Sequence, residues 1–138
     1  MADDAGPVVV GVDASPESLA ALDWALRLAA AFGRRLVVVH AVGLLEEGGY
    51  RERPDVAGIV DAARQRVAGR EAAPVAVIVE DGPAADVVVR VAEREEAELI
   101  VVGSRGVGQA TRLLGSVSEA VLAHAHCPVL IVPRGHVE

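Results

Sequence analysis

Small residues and arginine crowd one stretch of the chain. Gly103-Ser104-Arg105-Gly106-Val107-Gly108 leaves the apolar run Leu99–Val102, and Gly115-Ser116-Val117 opens a segment of helical periodicity. Glycines let backbone amides approach an anion closely, and the first turn of a helix adds unpaired N–H donors at the positive end of its dipole. That is phosphate-binding chemistry without a lysine, and the chain has no lysine: all 13 of its basic residues are arginine. Arg105 and Arg112 add charge to the same stretch. The missing lysine excludes a Walker A loop and every Schiff-base mechanism. The same residues admit a plainer reading, an ordinary strand-to-helix connection. In it the glycines only turn the chain, and Ser116-Val117-Ser118-Glu119 is a capping box with Ser116 at the N-cap. Gly106-Val107-Gly108 followed by Thr111 falls short of the dinucleotide fingerprint, lacking the third glycine and the acid that should close a second strand.

The elements that must position this loop are legible as five apolar runs: Pro7–Val12, Leu36–Val42, Val75–Val79, Leu99–Val102 and Val129–Val132. They are rich in Val and Ile and nearly continuous, as strands covered on both faces are, and they alternate with helix-period segments. Ser15-Pro16-Glu17 supplies an N-cap, a first-turn proline and an acid at the positive dipole end. Leu19, Leu22, Leu26, Ala29 and Ala30 then recur at helical spacing, with Gly33 as a left-handed stop, so a helix is predicted over about 16–32. Val56, Ile59, Val60, Ala63 and Val67 mark a second helix. A third begins at Gly82-Pro83, turns Val87, Val88 and Val91 inward and ends near Arg94–Glu96, and a fourth starts at Ser116. Gly43–Arg53 and Gly103–Gly115 break the rhythm as long connections. The alternation predicts a doubly wound α/β fold, whose ligands sit beyond the carboxyl ends of the strands.

Composition narrows the functions further. The length of 138 residues fits one domain spanning 1–138, with a core of about 7–134. Trp24, Phe32 and Tyr50 are the only aromatic residues, so the core is built from Val, Ala and Leu and no base-stacking platform exists. The formal charge of −7 argues against nucleic acid as a partner. Residues Met1–Gly6 lack the features of a signal peptide, no apolar run reaches membrane-spanning length, and the single Cys127 excludes an intrachain disulfide. A cytoplasmic protein is expected. His124, His126 and Cys127 read as a helix end and a strand start rather than metal ligands. His40 lies in the second strand with no acid or nucleophile beside it, and no Ser-His-Asp arrangement exists.

The chain resembles the nucleotide-binding universal stress proteins, whose signature is Gly-two residues-Gly, about nine residues, then Gly-Ser or Gly-Thr. Here it reads Gly103-Ser104-Arg105-Gly106, Val107–Leu114, then Gly115-Ser116-Val117-Ser118, with an eight-residue spacer. The opening VVVGVDAS and the ending HCPVLIVP are also similar to that family, so the likeness runs from Pro7 to Pro133. Ala14 stands where a glycine is common. The resemblance implies a Rossmann-like, adenine nucleotide alpha hydrolase-like sheet of order 3-2-1-4-5 with helices on both faces. It places Asp13 against the nucleoside, flanked by Gly11 and Val12, and Ala41 against the adenine. The loop amides of Gly103, Ser104, Arg105, Gly106, Val107 and Gly108 with Gly115, Ser116 and Val117 would hold the phosphates. It further implies a homodimer through Val129–Val132, where an apolar edge needs a defined partner.

These readings converge on a stress-response sensor or regulator that binds ATP or a related adenine nucleotide, with Mg²⁺ on charge grounds alone. No catalytic residue is assigned, and any ATP hydrolysis should be slow. As a bare turn-former Asp13 would bond its own backbone, and without the resemblance that reading is preferred. The alternatives are a dimeric interaction module that binds no nucleotide, which the short spacer favours, a low-turnover ATPase, and a site for cyclic AMP.

Overall fold

The computed structural model describes residues 5–13, 15–42, 58, 61–62, 65–66, 74–104 and 115–133. Five parallel strands, β1 (Val8–Gly11), β2 (Leu36–Val42), β3 (Val75–Asp81), β4 (Leu99–Gly103) and β5 (Val129–Val132), form one sheet in the order β3-β2-β1-β4-β5. The helices are α1 (Pro16–Phe32), α2 (Ala84–Glu95) and α3 (Ser116–His124). Between β2 and β3, residues Gly58, Asp61, Ala62, Gln65 and Arg66 are helical, and the Arg66 guanidinium pairs with Asp23 of α1. The apolar positions expected to mark that helix, Val56, Ile59, Val60, Ala63 and Val67, lie outside the described residues, as do Gly43–Arg53.

Alternation along the strands divides the core in two. Val8, Val10, Val12, Leu36, Val38 and Val101 face α1, where Ala21, Leu22, Ala25 and Ala29 meet them. Val9, Val37, Val39, Ile100 and Val102 face the other way, onto Val87, Val88 and Val91 of α2 and Val121 of α3. Each fully buried valine or leucine contributes roughly 1.5–3 kcal/mol relative to an exposed one, so this Val-rich sheet needs no aromatic core. Ala21, Ala25 and Ala29 on the buried face of α1 bring its backbone close to the sheet. Ala30, expected inward, is exposed.

Local signals explain the ends of α1. The Ser15 hydroxyl accepts from the Ser18 N–H at 3.1 Å, Pro16 follows, and Gly33 stops the helix at φ 69°, ψ 35°. Trp24 and Phe32 are surface residues, and the Arg27 guanidinium lies 4.2 Å above the Trp24 ring.

Among the described residues β3 pairs with β2 alone, and its far end is tied to α2 by charge. Arg94 and Arg90 reach the two carboxylate oxygens of Glu80 at 2.6 and 3.2 Å. The bond from Arg94, then that from Arg90, holds the Glu80 carboxyl below its ordinary value of 4.5. A carboxyl lowered by folding contributes stability above its unfolded value, and the contribution is lost as pH falls through the lowered value. Glu80→Gln is therefore expected to lower the thermal midpoint slightly at neutral pH and to converge with the native protein as pH falls through the lowered value, read by melts from pH 7 down to pH 3.

Candidate functional site

β1 sits at the centre of the sheet with β2 on one side and β4 on the other. The chain leaves β1 toward α1 on one face and leaves β4 toward α3 on the opposite face, so the two connections diverge. A cleft opens at that point, beyond the carboxyl ends of the strands. Gly11, Val12, Asp13, Ala41, Gly103 and Val117 line it, and these are six of the residues singled out from the sequence.

Asp13 is fixed by its own turn. Its Oδ1 accepts from the Ser15 N–H at 2.7 Å. The Ser18 hydroxyl donates to the Asp13 carbonyl at 2.8 Å and accepts from the Asp13 N–H at 3.0 Å. The turn-forming reading of Asp13 is thus correct as far as it goes, and the same residue also faces the cleft. Its second carboxylate oxygen has no partner among the described residues.

Gly103 serves close packing. A Cβ there would stand 2.8 Å from the carbonyl carbon of Glu17 and 2.9 Å from its oxygen, so only glycine lets the first turn of α1 rest on the end of β4. Glu17 is buried in that turn, with its charge at the positive end of the helix. Gly11 is tight in a milder way, with the place of a Cβ 3.1 Å from the Val88 side chain.

Ser104 is buried, and its backbone belongs to the scaffold. Its N–H donates to Val132 at 2.8 Å, and its carbonyl accepts from the Gly115 N–H at 2.7 Å and from the Ser118 hydroxyl at 2.8 Å. The amides of Ser104 and Gly115 are therefore already bonded inside the protein. The expected capping box is absent: Gly115 is the N-cap of α3 and Ser116 the first helical residue, exposed. The Gly115 N–H is held by the Ser104 carbonyl, and the Ser118 hydroxyl bonds backward to the Gly115 carbonyl at 3.1 Å. The N–H groups of Val117 and Ser118 precede the first intrahelical bond, from Glu119 to Gly115, and Val117 lines the cleft. Arg105, Gly106, Val107 and Gly108 lie outside the described residues.

Several lining residues carry no signal in the sequence. Ser15 and Ser18 read as helix-start residues, while Val39, Val88 and Val102 read as core; His40 reads as a strand residue without a catalytic partner, and Ala84 carries no signal. The His40 ring is 4% exposed, with Nδ1 2.8 Å from the Val12 carbonyl oxygen. His126 Nδ1 lies 3.0 Å from Glu93 Oε2, a contact that is an ion pair only with the ring protonated. Burial pushes the Cys127 thiol up, with Glu98 adding to the effect. Among the described residues no group of three or more His, Cys, Asp and Glu gathers in a metal-like cluster.

The profile of the Universal stress protein family matches residues 5–133. The chain belongs to that family. Universal stress protein Rv2623 of Mycobacterium tuberculosis strain H37Rv is 39% identical over 91% of this chain, which spans 46% of that relative, about half its length. Universal stress protein MJ0531 of Methanocaldococcus jannaschii is 30% identical over 92% of this chain and 81% of its own. Among solved structures, a universal stress protein crystallised in complex with cAMP is 32% identical, covers 95% of this chain and 99% of its own, and superposes with a TM-score of 0.75. Universal stress protein UspA from Lactobacillus plantarum is 26% identical, with 92% and 97% covered and a TM-score of 0.80. The universal stress protein fold, a five-stranded parallel sheet with helices on both faces, is thus shared along nearly the whole chain.

Proposed function

We propose that this universal stress protein is a regulator that binds ATP or a related adenine nucleotide in the cleft between β1 and β4. The observation that carries the reading is the cleft itself, which opens where the connections diverge and gathers Asp13, Ala41, Gly103 and Val117 at one place. Asp13 offers a carboxylate oxygen to ribose hydroxyls, and α3 turns its positive end toward the phosphate side. A family relative holding cAMP supports adenine as the base. Gly106, Val107 and Gly108, with Arg105 and Ser116, complete the phosphate contacts by family likeness, and Mg²⁺ accompanies a triphosphate on charge grounds.

The site is suited to binding rather than turnover. The chain has no lysine to steady a leaving phosphate, and Asp13 stands at the nucleoside end. Nucleotide occupancy would then act by changing contacts with other chains. Among the described residues β5 pairs with β4 alone, and Val129, Leu130 and Ile131 are half-buried, which supports a homodimer formed across Val129–Val132. No helix among the described residues is long and apolar enough to cross a membrane, and a single cysteine, with no partner for an intrachain disulfide, fits a reducing, cytoplasmic setting. The whole chain acts as one domain in this scheme.

Titration calorimetry tests it. Heats of binding with ATP, AMP or cAMP are expected for the native protein and should vanish in Asp13→Ala and Gly106→Ala. A flat trace at millimolar ATP would instead favour the interaction module, to which the eight-residue spacer points. Phosphate release that survives purification and falls in Ser116→Ala would identify a slow ATPase.

A further inference from the structure

The His40 ring interrupts the ladder between β1 and β2 at the place where the cleft begins. In a parallel ladder a residue whose N–H points at its neighbour points its C=O there as well, and that C=O accepts from the residue two farther along. Val12 follows the rule with its N–H, which donates to Val39 at 2.9 Å. Its carbonyl should then accept from Ala41. It meets His40 Nδ1 at 2.8 Å instead, and β1 ends at Gly11. A carbonyl only accepts, so Nδ1 carries the proton, and in the neutral ring Nε2 is a lone pair. Nε2 is buried with no partner among the described residues. An unpartnered buried nitrogen is a cost that leucine or valine at this position would avoid.

What the ring does is visible at Ala41. The period of two along β2 turns the Ala41 N–H and C=O toward β1, as it does those of Val39. Neither has a partner on that side among the described residues, and Ala41 lines the cleft. We infer that His40 is a positioning residue: by occupying the Val12 carbonyl it leaves the Ala41 main chain as an open donor–acceptor edge, the specificity element of the site. Such an edge matches a heterocycle with an acceptor beside a donor, as N1 and the 6-amino group of adenine are. A 6-oxo purine presents the opposite polarity, and it cannot turn over to correct this while its ribose and phosphates are anchored. The inference rests on the adenine reading for its ligand, but its main-chain part does not.

The full chain carrying His40→Leu or His40→Asn tests both parts. Asparagine can place its amide N–H where Nδ1 donates, and leucine has no donor. The scalar coupling across an N–H···O=C bond, measured by NMR between the Ala41 nitrogen and the Val12 carbonyl carbon, is expected to be absent in the native protein and in His40→Asn and to appear in His40→Leu. The ratio of AMP to IMP affinity is expected to fall about tenfold or more in His40→Leu, the size of one good hydrogen bond, and to be retained in His40→Asn. A coupling present in the native protein, its absence in His40→Leu, or an unchanged ratio would overturn the inference. If His40→Leu does not fold, His40→Gln, whose amide reaches toward the place of Nε2, serves in both measurements. A native protein that binds neither AMP nor IMP defeats the adenine reading alone, and the coupling then decides the role of His40.

Discussion

Gly103→Ala is expected to lower the thermal midpoint by about 5–10 °C, corresponding to an overpacking cost of about 1–3 kcal/mol in a chain of this size. The added methyl would stand 2.8 Å from the backbone of Glu17, and a helix backbone cannot rotate away as a side chain can. Relief requires the first turn of α1 to retreat from the end of β4. That turn carries Ser15 and Ser18, which hold Asp13, so nucleotide affinity should fall together with stability. Gly11→Ala is the internal control. There the obstacle is the tip of the Val88 side chain at 3.1 Å, which can give, and the loss should be clearly smaller. Equal midpoints for Gly103→Ala and the native protein would show that α1 does not rest on β4.

Asp13→Asn separates the two jobs of Asp13. Asparagine keeps an oxygen for the Ser15 N–H, so the turn and the melting profile should survive. It replaces the outward carboxylate oxygen with a donor, which cannot accept from ribose hydroxyls. Hydrogen bonds to a charged group are worth about 1.5–3 kcal/mol, so AMP affinity should drop by roughly 10- to 100-fold at unchanged stability. Calorimetry and melts on the same samples decide the matter. A drop in midpoint with affinity intact would make Asp13 a turn residue and nothing more.

The two outcomes bear on how much of the molecule its residues announce. Strands β2 and β5 coincide with the apolar runs that predict them, and β4 extends one residue past its run, because a Val-rich strand covered on both faces leaves an unbroken signature. The expected strand through Val12 ends one residue early for a reason that no local pattern carries: the donor its carbonyl finds is a side chain 28 positions away. The same limit applies to the start of α3. Ser116 and Glu119 have the right types and spacing for a cap, yet the carbonyl of Ser104 captures Gly115 first and sets the helix boundary. Among the site residues, Asp13, Ala41 and Gly103 were readable because they stand at strand ends within a recognisable signature. Ser18 was not, since a serine in a first turn looks like any helix start, and its two bonds to Asp13 exist only once α1 is in place.

The doubly engaged carbonyl of Ser104 has a consequence for the short spacer. Bonds from Gly115 and Ser118 staple the two ends of the intervening ten residues together, independently of what runs between them. The entropic cost of closing such a segment grows only with the logarithm of its length, so deleting one residue of about ten changes it by roughly 0.1 kcal/mol. A segment fastened at both ends in this way can change length without passing strain to β4 or α3.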